Sequence, residues 1–213
     1  MLLRNAFHSR QASYDSTKYP LSRHARFVPS CPGRPGAAAC VLHYEVAISV
    51  NHLAGQGFFV AVQRKHTMYH SSVIDADPAA VWAVVRDALR LVSIVSGPAA
   101  KDVHWVGDAG PERVPALYNF TLVFSDGLVQ QEIAGRDELK RLQTYRSIEP
   151  TMGVQRYVAA IRVREITNDP NRCFFDWTRE LTIAEDADTE VVETIVAMMA
   201  EQVDSVRDHF AQR

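Results

Sequence analysis

The sequence predicts an α+β fold: a curved antiparallel sheet of about seven strands wrapped around a long C-terminal helix, with two short helices after the first strand. Three observations predict it. Residues 69–74 read as a short strand that stops at Asp75-Ala-Asp-Pro78 and turns into a helix with Val81, Trp82, Val85 and Leu89 at helical spacing. Residues 103–183 change to period-two alternation interrupted by turn residues, the pattern of a strand meander. Residues 188–210 return to helical spacing, with a wide apolar face and no Gly or Pro inside.

Each element has its own signal. Asp77 is a good N-cap, and Pro78 suits the first helical position, where its missing N–H is no loss. Residues 90–97 read as a second short helix ended by Gly97-Pro98. A short strand at 103–106 closes at the breaker cluster 107–111. Residues 114–124 form a long strand with Val114, Ala116, Tyr118, Phe120, Leu122 and Phe124 on one face. Ser125-Asp-Gly127 is expected to be the tight turn into a return strand at 128–135, because Asp-Gly supplies positive φ angles. Further strands follow at 140–148, 155–166 and 172–183, separated by turns at 137–139, 149–153 and 168–171. Tyr157, Ala159, Ile161 and Val163 share one face, as do Cys173, Phe175, Trp177 and Leu181. Asp188 or Thr189 caps the terminal helix, whose apolar face includes Ile195, Met198, Met199, Val203, Val206 and Phe210. Ile195 and Met199, four apart, should both face the sheet.

Composition bounds the rest. The chain has 213 residues, 47% of them hydrophobic, and a net charge of −2, so one ordinary domain with a real core is possible and no nucleic-acid partner is indicated. Cys31, Cys40 and Cys173 lack metal-ligand spacing, and a reducing, cytoplasmic setting is the default expectation. The charge is uneven. Residues 1–67 hold eight Lys/Arg against two acids, leaving fifteen basic and twenty-three acidic residues to the remainder. We therefore divide the chain into a basic extension, 1–67, and a domain, 68–213. The extension reads as disordered or dispensable over 1–39, with an organelle transit segment, an upstream translation ahead of Met68 and a simple tail as the alternatives. Residues 40–62 are more apolar but are interrupted by Glu45, two His and two Gly; they make no membrane span and could add a strand or a short helix.

A sheet curling around one helix leaves concave surface uncovered, so an apolar cavity between them is expected. The order of Asp75-Ala-Asp-Pro-Ala-Ala-Val-Trp-Ala-Val-Val-Arg-Asp87, Leu128-Val-Gln-Gln-Glu-Ile133, Thr144-Tyr-Arg-Ser-Ile148, Tyr157-Val-Ala-Ala-Ile-Arg-Val163 and Phe175-Asp-Trp-Thr178 resembles the polyketide cyclase/dehydrase family of the START-like helix-grip (SRPBCC) superfamily, over about residues 69–211. The resemblance implies a helix-grip fold around a ligand cavity, and it carries many functions. Where many members have an aromatic residue and Trp after the first helix, this chain has Ala88-Leu-Arg-Leu-Val-Ser93, so no family ligand is carried over.

The expected partner is a small hydrophobic or amphipathic molecule, bound by a carrier or sensor; an aromatase/cyclase or dehydratase and a protein-interaction module are the alternatives. No cofactor or metal site is expected, since no dinucleotide, phosphate-loop, nucleophile-elbow or zinc motif occurs. Tyr118, Phe120, Tyr145, Tyr157, Phe175, Trp177, Met198 and Met199 are the expected ligand-lining residues, flat aromatic walls and adaptable methionines that could equally be plain core. A catalytic constellation would use Tyr145 as general acid, held by Glu132 or Arg146. Glu132 could instead face solvent opposite a basic neighbour. Arg146 and Arg179 are mid-strand cations that could stabilise a developing enolate. His70 and His104 are lone strand histidines, expected to be surface or internally satisfied.

Overall fold

The computed structural model of the protein describes residues 25–27, 39–52 and 58–212. Its element order is β1 (Ala25–Phe27), β2 (Ala39–His52), β3 (Phe58–Ile74), α1 (Pro78–Val85), α2 (Ala88–Ser96), a 3-10 turn (Gly97–Ala99), β4 (Ala100–Trp105), β5 (Ala116–Leu122), β6 (Ser125–Asp137), β7 (Leu142–Ser147), β8 (Val154–Ile166), β9 (Asp169–Ile183) and α3 (Thr189–Ala211). All strand pairs are antiparallel, in the order β1-β2-β3-β9-β8-β7-β6-β5-β4. The seven strands β3 to β9 form the sheet that holds α3, and β1 and β2 extend one edge. The opening strand is longer than residues 69–74: it reaches back to Phe58, pairing with β2 along its length and with β9 from Arg64 onward. A division at 67/68 therefore falls inside β3. Most of residues 1–39, where a tail or transit segment was expected, lies outside the described residues. Among the described residues no helix is long and apolar enough to cross a membrane.

Local chemistry sets the helix starts. Asp77 Oδ1 accepts from the Ala79 and Ala80 amides at 2.9 and 3.0 Å, and Asp87 and Asp188 cap α2 and α3 in the same way. The second helix thus begins two residues before the expected one. Two clamps fix the short helices to the far end of the sheet. Trp82 Nε1 donates to Glu138 Oε2 at 2.6 Å, and the nearly buried Arg136 donates to Gln143 Oε1, to the Pro111 carbonyl and to the Arg86 carbonyl at the end of α1. The β5–β6 hairpin differs from expectation. It turns at Val123-Phe124, with Leu122 opposite Ser125, and the register then shifts so that Thr121 faces Leu128. Gly127 is not among the glycines with positive φ, so Ser125-Asp-Gly127 is a bulge beside the turn, held by Gly127 N donating to Ser125 Oγ at 3.1 Å.

The helices lie on one face of the sheet: α3 packs on β3, β9 and α2, while α1 packs on β8 and β9 and α2 on β4. Two apolar clusters result. One gathers Trp82, Phe175, Trp177, Leu181, Ile195, Val203 and Phe210 under α1 and α3; the other gathers Ala88, Val92, Tyr118, Phe120, Leu122 and Val129 under α2. Met152 touches both. It sits in the β7–β8 turn with φ 51°, followed by Gly153 at φ 76°. A Cβ on Gly153 would lie 2.5 Å from the Ala187 Cβ, where the chain enters α3. Gly153→Ala combines a left-handed backbone with a steric clash and is expected to destabilise by about 1–3 kcal/mol. Urea titration checks this; a loss below about 0.5 kcal/mol, the range of ordinary surface changes, would mean that the turn moves freely.

Candidate functional site

Between the two clusters lies a cavity holding about 830 Å³ of empty space, its open mouth included. Strands β5 to β9 supply the floor, α2 one wall and α3 the roof. The strand residues reach it by parity. Tyr118 and Phe120, Val129 and Gln131, Tyr145 and Ser147, Tyr157, and Trp177 and Leu181 are inward positions of successive strands. Ile195, Met198, Met199 and Gln202 follow at three- and four-residue spacing along α3. From α2 come Ala88, Leu91, Val92, Val95 and Ser96, from the β7–β8 turn Thr151 and Met152, and from the start of β8 Val154.

Of the residues expected to line the cavity, Tyr118, Phe120, Tyr145, Tyr157, Trp177, Met198 and Met199 do so. Phe175 does not; it is fully buried in the α1–α3 cluster, edge-on to Trp177 at 6.0 Å. The constellation of Tyr145, Glu132 and Arg146 is not brought together. Glu132 and Arg146 are directly paired across β6 and β7, with Arg146 Nη2 2.7 Å from Glu132 Oε2, and neither lines the cavity. The reason is parity: Gln131, Ile133 and Tyr145 point inward, so their neighbours Glu132 and Arg146 point out. Arg179 has the opposite fate from Arg146. It shares parity with Trp177 and Leu181 and is 0% exposed. His70 is buried and satisfied, and His104 bonds locally to the Asp102 carbonyl.

The polar groups of the cavity are few and mostly phenolic. Tyr118 donates to Gln131 Oε1 at 2.5 Å, and the Tyr145 and Tyr157 hydroxyls meet at 3.3 Å. Burial, and then the neighbouring Tyr157, hold the Tyr118 and Tyr145 phenols well above the usual tyrosine range; Arg179 offsets this only in part at Tyr145. Both therefore stay protonated hydrogen-bond donors. Trp177 Nε1, buried at the wall, has no hydrogen-bond partner. Among the described residues no carboxylate lines the cavity, and no three His, Cys, Asp or Glu side chains gather as a metal site.

The α2 wall, Gln131 and Gln202 lie outside the lining expected from the sequence. Gln131 was legible, since it shares parity with Val129 and Ile133. So was Gln202, four residues from Met198 and three from Met199. The α2 wall was not, because nothing local says which way a short helix leans.

Residues 65–211 match a family described as "Polyketide cyclase / dehydrase and lipid transport", and the chain belongs to that family. No curated protein matches the sequence significantly. Solved structures share the fold. An uncharacterized protein from Bacillus thuringiensis is 15% identical, with 68% of this chain and 98% of that one covered at a TM-score of 0.55. Norcoclaurine synthase from Thalictrum flavum is 19% identical, with 70% and 88% covered at 0.52. A protein from Nitrosospira multiformis is 22% identical, with 69% and 99% covered at 0.53. At these identities the likeness is one of fold.

Proposed function

We propose that this protein binds a small apolar or amphipathic molecule in the cavity, as a carrier or sensor. The observation that carries the reading is the wall itself: aromatic rings from four strands and two methionines from α3 enclose space that the core leaves unfilled. A cleft walled by aromatic rings with few polar groups, and lined by adaptable methionines, suits an apolar guest of irregular shape. The family description, with its mention of lipid transport, agrees with this reading. Among the described residues, every lining side chain falls between Ala88 and Gln202. A cytoplasmic setting goes with it, on the cysteine spacing alone.

The aromatase/cyclase or dehydratase reading draws on the other half of the family description, and among the described residues no carboxylate lines the cavity to serve it as a base. The Glu–Arg pair expected for that chemistry lies on the outer face, and burial holds the Tyr118 and Tyr145 phenols in their protonated form. The interaction-module reading rests on residues 41–62, and the cavity wall gives it no support.

The test is a titration of fatty-acid-like, sterol-like and aromatic polyketide-like compounds, followed by tryptophan fluorescence and melting temperature together. A bound guest beside Trp177 should shift or quench its emission and raise the melting point, since binding only the folded state stabilises it. Trp177→Phe separates that signal from Trp82 and Trp105. If no compound class moves either observable, the proposal fails.

A further inference from the structure

Arg179 breaks the pattern of its own strand. The other inward positions of β9 are Cys173, Phe175, Trp177, Leu181 and Ile183, all apolar and buried. Arg179, among them, is 0% exposed and has no carboxylate partner among the described residues. Its guanidinium carbon lies 3.8 Å from the Trp177 ring centroid. Nη1 donates to His70 Nδ1 at 3.0 Å and Nη2 to Gln202 Oε1 at 2.7 Å, while Nε, also buried, has no partner. His70 adds no negative charge, and burial, then Arg179 itself, lower its pKa to about 4, so it is the neutral acceptor. Among the described residues the cluster therefore keeps one full positive charge in a water-excluded place. An arginine does not escape burial by shedding its proton, and an uncompensated buried charge is among the most expensive features a fold can hold.

The unspent part of the guanidinium has a shape. Nε and Nη2 form one edge, the edge that accepts a carboxylate through two parallel hydrogen bonds. Here Nε is empty and Nη2 is held by a neutral amide. That amide, Gln202, also lines the cavity, as do Trp177 and Leu181, which flank Arg179 on β9. Arg179 thus stands directly behind the cavity wall with Gln202 as its screen, and the unpartnered Trp177 Nε1 is a further donor at that wall.

We infer that the guest of this cavity is an amphipathic anion, an apolar body ending in a carboxylate, and that the headgroup displaces Gln202 to take the Nε–Nη2 edge of Arg179. The inference rests on the cavity being a ligand site, and it names the chemical class of the ligand. The phenols and aromatic walls hold the body; the buried cation selects the charge. A primary amine of the same shape is rejected by like-charge repulsion in a low-dielectric wall.

The experiment uses matched sets on two bodies: decanoate, decanol and decylamine, and 2-naphthoate with 2-naphthylmethanol, each titrated by calorimetry into the full chain. We expect each acid to bind about tenfold or more tightly than its alcohol, and decylamine to bind weakest. Arg179→Gln should abolish the acid's advantage over its matched alcohol. Because that site is fully buried, Arg179→Lys and Gln202→Leu serve beside it. The lysine, a point charge without the two-donor edge, should keep a reduced preference for the acid; Gln202→Leu, which leaves the edge bare, should keep or raise it. Acids and alcohols binding equally well to the wild-type protein would overturn the inference and leave the cavity reading standing. No binding by any member of either set would overturn both.

Discussion

Phe175→Ala is expected to lower the free energy of unfolding by about 3–5 kcal/mol, the range for deleting a fully buried aromatic side chain. Phe175 is 0% exposed and packs in the cluster that includes Val81, Trp82 and Trp177. It lies toward the end of β9 nearest α1, where Cys173 pairs with Ile74 at the close of β3. Two residues along a strand span about 7 Å, which carries it out of the cavity that Trp177 lines. The milder Phe175→Leu should therefore lose stability without losing ligand, whereas Trp177→Leu should lose ligand. Denaturant titration and ligand calorimetry on the two leucine variants decide the matter. If Phe175→Leu remains folded and its affinity falls as far as that of Trp177→Leu, Phe175 belongs to the site.

Phe175 also marks how far a sequence can be read. Alternation correctly puts Phe175 and Trp177 on one face, because the side-chain period of a strand is two. Depth along that face is a matter of which helix lies above it, and helix placement is settled by contacts between distant segments. Trp82 is 56 residues from Glu138, and the Arg136 clamp spans 50 residues to Arg86. Neither pair has a local signature. The hairpin at Val123-Phe124 was misplaced for a related reason. Asp-Gly is a strong turn signal by itself, but here the pairing of Leu122 with Ser125 closes the hairpin two residues earlier and turns Gly127 into a bulge.

The two mid-strand arginines make the same point with charge. From the sequence, Arg146 and Arg179 look alike, each a cation in mid-strand within two residues of an aromatic. Parity separates them. Arg146 follows inward Tyr145 directly and so emerges to meet Glu132, while Arg179 follows inward Trp177 by two and is buried. That distinction was available from the alternation. What was not available is the company Arg179 keeps, since His70 lies 109 residues away and Gln202 on another element.

That company also makes the protein's stability depend on pH in a defined window. His70 has a folded-state pKa of about 4 against an ordinary 6.5, lowered first by burial and then by Arg179. The depressed value means that the unfolded chain binds the proton more readily, so stability is fully present above pH 6.5 and is lost as pH falls through that value toward 4. Over the full window the effect is about 3 kcal/mol, from about 1.4 kcal/mol per pKa unit. Among the described residues near His70, Arg179 and Gln202 do not reverse the sign. Arg179 on β9 is the cation that repels the imidazolium, and Gln202 on α3, which shares that guanidinium, is uncharged. His66, on the same strand, is itself lowered by burial and then by Arg64, and adds in the same direction. Surface carboxylates also titrate near pH 4, so the measurement is a difference: urea unfolding of wild type and of His70→Asn at about pH 7.5 and about pH 4. Asparagine keeps an acceptor for Arg179 Nη1 and cannot titrate. The variant should lose about 2–3 kcal/mol less than wild type between the two conditions. A wild-type loss matched by the variant to within about 0.5 kcal/mol would show that His70 takes up no proton on unfolding, and that its neutral role beside Arg179 is misassigned.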